Sequence, residues 1–466
     1  MGAAAGLFFS ANDSEKQTLH RRIMPTQDQF DSQTLRWNEL ADHLLADLRS
    51  SSGYSVRSWL QGSYKFGTQV RPPSKWEEFD IDLGVYFEWV GTPGEGRFDP
   101  GELQTLVQVS LKKYAENKDE IRQVLSPPKK RCCRVHYEDN FHIDVPCYHL
   151  DPSDDERNLA TKDGWEESDP KALYLWFKER FDDIDRGKIR RQIRYLKTWA
   201  GLTWALDGGR PSSVLLTVLA SDAALGVSLD QPDDELLLAL LKAIDTRLSI
   251  STSVPNPVDP TEDLNRLTDA QTTDFANGVS SFLSVARRAV QASDEDIAAV
   301  IWSEAFKHLF PMPDGDETGA APSVGSGARA LVPIQIPDVA VVAINKKNPT
   351  LRFKGLNRIG PIPKDCRIEF QVLDDWKLPA GSTIEWIVRN DGGEAEAEND
   401  LGHVNGFGVR MTERSAYNGT HFMDVIFRTA ANGILGVRRI PVTIADTPVP
   451  VRNPPRPRWV RLRGRR

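Results

Sequence analysis

The residues of this chain whose types and spacing could do chemistry are three aspartates and a Gly-Ser turn. In Phe79-Asp80-Ile81-Asp82-Leu83 acidic and apolar residues alternate, as they do on an extended strand with one polar and one buried face. Asp80 and Asp82 then project together, roughly 7 Å apart, and repel by about 2 kcal/mol at an effective dielectric near 20. A cation between them removes that repulsion. A second strand of the same pattern, Phe141-His142-Ile143-Asp144-Val145-Pro146, adds one carboxylate, Asp144. Three carboxylates on adjacent strands suit a pair of Mg²⁺ ions clamping the attacking and leaving oxygens of a phosphoryl transfer. A lone Asp-x-Asp on a strand is usually only a solvated edge. Here Gly62-Ser63 lies upstream, where a glycine lets the backbone approach phosphate and a serine adds a hydroxyl, and a third aspartate lies downstream.

The stretch Gln61-Gly62-Ser63-Tyr64-Lys65-Phe66-Gly67-Thr68, then Asp80-Ile81-Asp82, then Phe141-His142-Ile143-Asp144-Val145-Pro146-Cys147 resembles the bacterial CD-NTases, relatives of cyclic GMP-AMP synthase among the polymerase-β-like nucleotidyltransferases. The likeness spans roughly residues 30 to 310. It implies an α+β fold, with a polymerase-β-like core and a helical lobe closing a nucleotide cleft. It also implies metal binding and catalysis by Asp80, Asp82 and Asp144, and nucleotide binding around Gln61, Gly62, Ser63, Tyr64 and Lys65. Lys197 of Lys197-Thr198-Trp199 resembles the family's triphosphate-binding lysine, and Ser213 of Pro211-Ser212-Ser213-Val214, or its neighbour Ser212, the serine that helps hold the same phosphates. Trp165-Glu166-Glu167-Ser168-Asp169-Pro170 resembles the serine-bearing entry into the helical lobe and implies a nucleotide contact for Ser168; Ser-x-Pro is also an ordinary helix start. The run from Pro255 to Leu264 resembles another cleft segment, without an assigned role.

Those residues need elements to position them. Residues 28 to 50 carry Phe30, Leu35, Trp37, Leu40, Leu44, Leu45 and Leu48 at mostly helical spacing, up to the break at Ser50-Ser51-Ser52-Gly53. A second helix is expected over residues 101 to 124. Between Lys188 and Gly201, Ile189, Ile193, Leu196 and Ala200 fall on one arc of a helix and Arg190, Arg194 and Lys197 on its neighbour, so the helix can dock by one side and aim a cationic stripe with the other. Residues 311 to 338 are rich in Pro, Gly, Ala and Ser and read as a linker. Beyond them the period becomes two, at Ile368-Phe370-Val372, Ile384-Trp386-Val388, Met423-Val425-Phe427 and Ile440-Val442-Ile444. Turn signals at Pro379-Ala380-Gly381, Asp391-Gly392, Asn405-Gly406, Asn418-Gly419 and Asn432-Gly433 make this an all-β sandwich. Trp386-Ile387-Val388-Arg389-Asn390, Glu394-Ala395-Glu396-Ala397 and Tyr417-Asn418-Gly419-Thr420-His421 resemble the adenylyl/guanylyl cyclase and SMODS sensor domain, which implies a ligand or regulator there. His421, at a strand edge, reads as a hydrogen-bonded structural residue. The expected organisation is a catalytic core over 1–165, a helical lobe over 166–310, a linker over 311–338, a sandwich over 339–447 and a disordered basic tail over 448–466, with weak attraction for nucleic acid or an acidic partner as the alternative.

Composition narrows the classes. The chain has 466 residues, a net charge of −8 and a pI near 5.6, which argues against a protein that wraps long nucleic acid. Cys132, Cys133, Cys147 and Cys366 have no metal-binding spacing, so a reducing cytoplasm without structural zinc is expected, with Cys132-Cys133 as buried small hydrophobes. The short apolar run after Met1 lacks a basic n-region, and no myristoylation pattern or membrane span is present. The resemblance implies a cyclic di- or oligonucleotide synthase that joins and cyclises ATP, GTP or other NTPs with two Mg²⁺ ions, Mn²⁺ substituting. Its product would be read by a separate effector in bacterial antiphage (CBASS) signalling. Modification of RNA ends or protein side chains uses the same carboxylates and is the alternative, with an inactive nucleotide-binding module as the third reading.

Overall fold

The structure, a computed structural model, describes residues 2–11, 17–313 and 336–445. Most of the expected linker and all of the basic tail lie outside these residues. The chain divides into two compact units, Met1–Phe306 and Lys307–Arg466.

In the first unit an eight-stranded sheet runs β3 (Ile121–Val124), β4 (Cys133–Tyr137), β5 (Phe141–Val145), β2 (Phe79–Glu88), β6 (Cys147–Leu150), β7 (Arg157–Thr161) and β8 (Gly164–Glu167), with β1 (Ser55–Gln61) antiparallel to β2. β5 runs parallel to the first half of β2, and β6, one residue further on, parallel to its second half. The alternation read from sequence is realised: Phe79, Ile81, Leu83, Val85, Ile143 and Val145 are buried in one core. Leu40, Leu44 and Leu48 of the helix Gln27–Ser52 and Leu103, Val107 and Leu111 of the helix Pro100–Ala115 complete it. The aspartates are left on the opposite face. Gln27–Ser52 begins at a Thr26/Gln29 capping box and stops at Gly53, whose φ of 73° supplies the left-handed cap.

The helix expected over 101–124 is shorter. It ends at Ala115 because Glu116-Asn117-Lys118-Asp119 offers nothing to bury and Asn117 takes φ 60°; the chain then turns into β3, an edge strand. The helices Pro170–Arg180, Asp183–Thr203, Ser213–Ala224, Asp233–Ile250, Asp269–Gln291 and Glu295–Phe306 make most of the rest of the unit, with the short N-terminal helices Ala5–Phe8 and Leu19–Ile23 and a two-stranded sheet of Pro255–Asn256 and Asp259–Asp263. Among the described residues no helix is long and apolar enough to cross a membrane, and all four cysteines are free and buried.

The second unit is a sandwich of a four-stranded and a five-stranded sheet. Val341, Ile368 and Phe370 from one meet Trp386, Val425, Phe427 and Ile440 from the other in a single core. Sequence periodicity located the strands at 366–372, 383–389, 419–428 and 434–444 and left out those at 339–345, 352–356, 359–362, 402–407 and 410–414. One expected turn is misplaced. Asn405-Gly406 lies inside the strand Gly402–Phe407, where a register shift opposite Trp386/Ile387 accommodates Gly406 at φ 115°. His421 Nδ1 accepts from the Asp391 amide and Nε2 donates to the Tyr417 carbonyl, so both nitrogens are used structurally.

A buried ion pair sits in this unit. Arg389 and Asp424, 2% and 1% exposed, are paired, and the Arg389 guanidinium also donates to the carbonyls of Lys307, His308 and Phe310. Breaking one member leaves a buried charge. Asp424→Asn is expected to cost about 3–5 kcal/mol, read as faster hydrogen exchange in Thr383–Arg389 and Gly419–Arg428 while the first unit stays protected; unchanged exchange would show the charge solvated another way.

Candidate active site

The site is assembled by strand register. β1 ends with Gln61 opposite Asp82, so the following turn lands on the acidic face. Gly62 takes φ 57°, and a Cβ there would stand 1.9 Å from Asp82 Oδ2. The turn therefore needs glycine twice, for its left-handed backbone and for its approach to the carboxylate. β5 places Asp144 opposite Asp82 and His142 opposite Asp80. The three aspartates thus share one face of two neighbouring strands.

Their electrostatics differ. Asp144 receives Arg134 of β4 through Nε–Oδ1 at 2.5 Å and Nη2–Oδ2 at 2.7 Å, with Lys129 Nζ at 3.4 Å. Burial pushes its carboxyl up, but these cations bring it below the ordinary carboxylate value. Asp80 has His142 Nε2 at 2.9 Å. Asp82 has no ion-pair partner among the described residues. Burial first, then the charges of Asp80 and Asp144, hold its carboxyl well above the usual range. A crowded carboxylate without a countercharge is what a divalent cation relieves, and Asp80, His142 and Asp144 present ligand atoms within 4.8 Å of one another. The residues fit a metal.

A neighbouring group, Glu78, His136 and His142, has the same spacing. There a guanidinium stands among the ligand atoms: Arg122 is paired with Glu78 and its Nη2 is 3.3 Å from His136 Nδ1. Burial works against the Glu78 charge, but hydrogen bonds from His142, Arg122 and His136 lower its pKa to about 2. The protein supplies this cluster's positive charge itself.

The facing wall comes from the helix Asp183–Thr203, which buries Ile189, Ile193, Leu196 and Ala200 as its pattern foretold. Its cationic stripe reaches three successive carbonyls: Arg190 Nε to Phe66 O at 2.8 Å, Arg194 Nη2 to Gly67 O at 2.6 Å and Lys197 Nζ to Thr68 O at 2.8 Å. These carbonyls lie at the end of the short helix Gly62–Phe66, where orphan acceptors and the negative dipole end favour cations. Burial, then Arg194, lowers the Lys197 pKa to about 8, with Asp80 and Asp82 pulling the other way. Arg210 grips Glu77 bidentately at 2.8 and 3.1 Å, tying the loop before β2 to the same wall.

Between the walls is a cleft of about 820 Å³, lined among others by Ser63, Asp80, Lys129, Lys197, Arg210 and Ser213. Ser212 is the N-cap of Ser213–Ala224, its oxygen taken by the Leu215 amide, so Ser213 is the serine that faces the cleft. Other predicted residues point elsewhere. Gln61 Nε2 donates to Tyr86 and its oxygen accepts from Tyr148. Tyr64 stacks on Phe30 and shares a 2.7 Å hydrogen bond with Thr34. Lys65 lies 5.2 Å over the rings of Trp59 and Tyr174. Ser168 follows β8, near Tyr148. The sequence reading missed Arg134, Lys129, Glu78 and Arg210. His142 was legible, since it shares the face of Asp144.

Comparison with known proteins bears on these two regions. Residues 56–148 match the family model of the nucleotidyltransferase domain of DncV-like cyclic GMP-AMP synthases. Residues 332–445 match that of the adenylyl/guanylyl and SMODS C-terminal sensor domain. A cyclic GMP-AMP synthase of Escherichia albertii is 27% identical over 442 residues, 94% of this chain and 95% of the relative. One of Escherichia coli is 31% identical over 205 residues, 35% of this chain and 46% of the relative. Among solved structures, Escherichia coli DncV bound to 3'-deoxy GTP aligns with a TM-score of 0.55 at 20% identity, covering 64% of this chain and 95% of that one. Vibrio cholerae DncV in its apo form gives 0.57 at 20%, covering 66% and 96%. At such identity the structural likeness establishes the fold.

The turn geometry has a direct test. Gly62→Ala is expected to lower unfolding free energy by about 1–2 kcal/mol through left-handed strain and to weaken Mn²⁺ binding by displacing Asp82. A melt and a Mn²⁺ titration like those of the unsubstituted protein would show that the turn relaxes without cost.

Proposed function

We propose, for a chain that joins a DncV-like nucleotidyltransferase domain to an adenylyl/guanylyl and SMODS C-terminal sensor domain, that it is a template-independent nucleotidyltransferase producing a cyclic di- or oligonucleotide from NTPs with release of pyrophosphate. The observation that carries this reading is the register that sets Asp82, without an ion-pair partner among the described residues, against Asp80 and Asp144 beside the Gly62-Ser63 turn. The full-length match to a cyclic GMP-AMP synthase supports the same chemistry.

In this reading Asp80, Asp82 and Asp144 would hold two Mg²⁺ ions, Mn²⁺ substituting, which would supply Lewis acidity toward an acceptor ribose hydroxyl and positive charge for the leaving group. Gly62 and Ser63 bring an amide and a hydroxyl to the donor's β- and γ-phosphates. Lys197 and Ser213, on the opposite wall, meet charge developing on the departing pyrophosphate. Asp144 takes the hydroxyl proton, for which its Arg134 contact must loosen. Ring closure repeats the step with the linear intermediate's own triphosphate in the donor place. We assign the catalytic core to 1–165, the helical lobe to 166–310 and the sensor-like sandwich to 339–447. The product serves a separate effector in CBASS-type antiphage signalling, and the sandwich receives a ligand or regulator.

Incubation of the purified protein with all four NTPs and Mg²⁺ is expected to yield small phosphatase-resistant cyclic products by mass spectrometry. Asp82→Asn should abolish pyrophosphate release; equal release by both proteins would remove the assignment. Labelling of RNA ends or protein in place of free products would move the reading to a different acceptor.

Lys197 gives a second expectation. A bound triphosphate raises its pKa from about 8, so nucleotide binding at pH 8 takes up about half a proton. This uptake fades toward pH 6.5, where the amine is already charged. Calorimetry in buffers of different ionisation enthalpy measures it, and Lys197→Met should erase it; uptake that survives that substitution assigns the proton to another group.

A further inference from the structure

His142 bridges two carboxylates with unequal freedom. Its Nδ1 is hydrogen-bonded to Glu78 Oε2 at 2.9 Å, and its Nε2 stands 2.9 Å from Asp80 Oδ1 in a close polar contact bent away from hydrogen-bond alignment. Glu78 is fixed from other sides by Arg122 and by His136 Nδ1 at 2.7 Å, so three neighbouring strands, β3, β4 and β5, immobilise it. Asp80 is the opposite case: its side chain is 52% exposed beside the cleft. An anchored carboxylate behind a buried imidazole, in front of a half-exposed carboxylate, is an arrangement by which proteins orient a metal-binding group through a second layer of polar contacts.

We propose that His142, anchored by Glu78, is a positioning residue that fixes the orientation of Asp80, holding one of its oxygens and leaving the other for a divalent cation. The inference rests on the metal-dependent reading of the site. Asp144 has its own partner in Arg134, and Asp82 is confined by the Gly62 backbone; Asp80, without His142, has no comparable constraint among the described residues. A freely rotating carboxylate must be ordered each time a cation binds, which costs affinity.

The two ring nitrogens can be tested separately. In His142→Asn the amide stands near the Nδ1 position, keeping Glu78 and losing Asp80; in His142→Gln it extends toward the Nε2 position and retains Asp80. Mn²⁺ binding, followed by the electron paramagnetic resonance of free ion, is expected to weaken about 10–100-fold in His142→Asn and less, about 3–10-fold, in His142→Gln, which loses only the Glu78 anchor. The KM for NTP at saturating metal should change little in either. Should His142→Asn not fold, Glu78→Gln carries the test and is expected to weaken Mn²⁺ about 3–10-fold. Mn²⁺ binding by a folded His142→Asn, or failing that by Glu78→Gln, equal to that of the unsubstituted protein overturns the proposal. So does a directly coordinated ¹⁴N signal in the Mn²⁺ spectrum, which would make His142 a ligand. A protein that shows the predicted Mn²⁺ pattern but forms no cyclic product keeps this inference and loses the proposed function.

Discussion

The constraint on which the rest depends is the parallel pairing of β2 with β5 in the register that sets Asp82 against Asp144. A slip of one residue would turn every aspartate into the core and every core residue outward, so the packing of Phe79, Ile81, Ile143 and Val145 and the gathering of charge on the other face are one event. The hydrophobic side stabilises the strands. The polar side accepts the cost of crowded carboxylates: Asp144 has Arg134 beside it and Asp80 the His142 imidazole, while Asp82 has no ion-pair partner among the described residues.

The two walls of the cleft are joined by charges placed on backbone oxygens. Arg190, Arg194 and Lys197 meet the carbonyls of 66, 67 and 68 in order, fixing the Gly62-Ser63 turn against a helix about 130 residues away in sequence. Arg210 and Glu77 make a second tie on the other side of β2. Both ties belong to the protein alone, so much of the cleft's shape is present before any ligand arrives, which lowers the ordering cost of binding.

Most of the site's acidic half was legible because it obeys period two: Asp80, Asp82 and Asp144 each sit between residues that must be buried, and the Gly-Ser turn announces itself by residue type. The stripe on Asp183–Thr203 was legible as a stripe, though not its targets, since carbonyls leave no mark in a sequence. Arg134 and Glu78 were hidden for another reason. Their partners are set by the pairing of β4 with β5 and by the loop before β2, and neither register follows from the local pattern. Gln61, Tyr64 and Lys65 show that adjacency to a functional turn does not fix where a side chain points: here tyrosines, a hydroxyl and two aromatic faces take them. In the sandwich, the weaker strands between strong hydrophobic runs were left out, and Gly406 was taken for a corner where it eases a bulge.

Arg389 bears on where the C-terminal unit can be cut. The sensor family model begins at residue 332, yet the guanidinium buried beside Asp424 also donates to carbonyls at residues 307, 308 and 310. A fragment trimmed to the family boundary would take those three carbonyls away from a buried guanidinium, whereas a version of the domain that carries its leader from Lys307 onward keeps them.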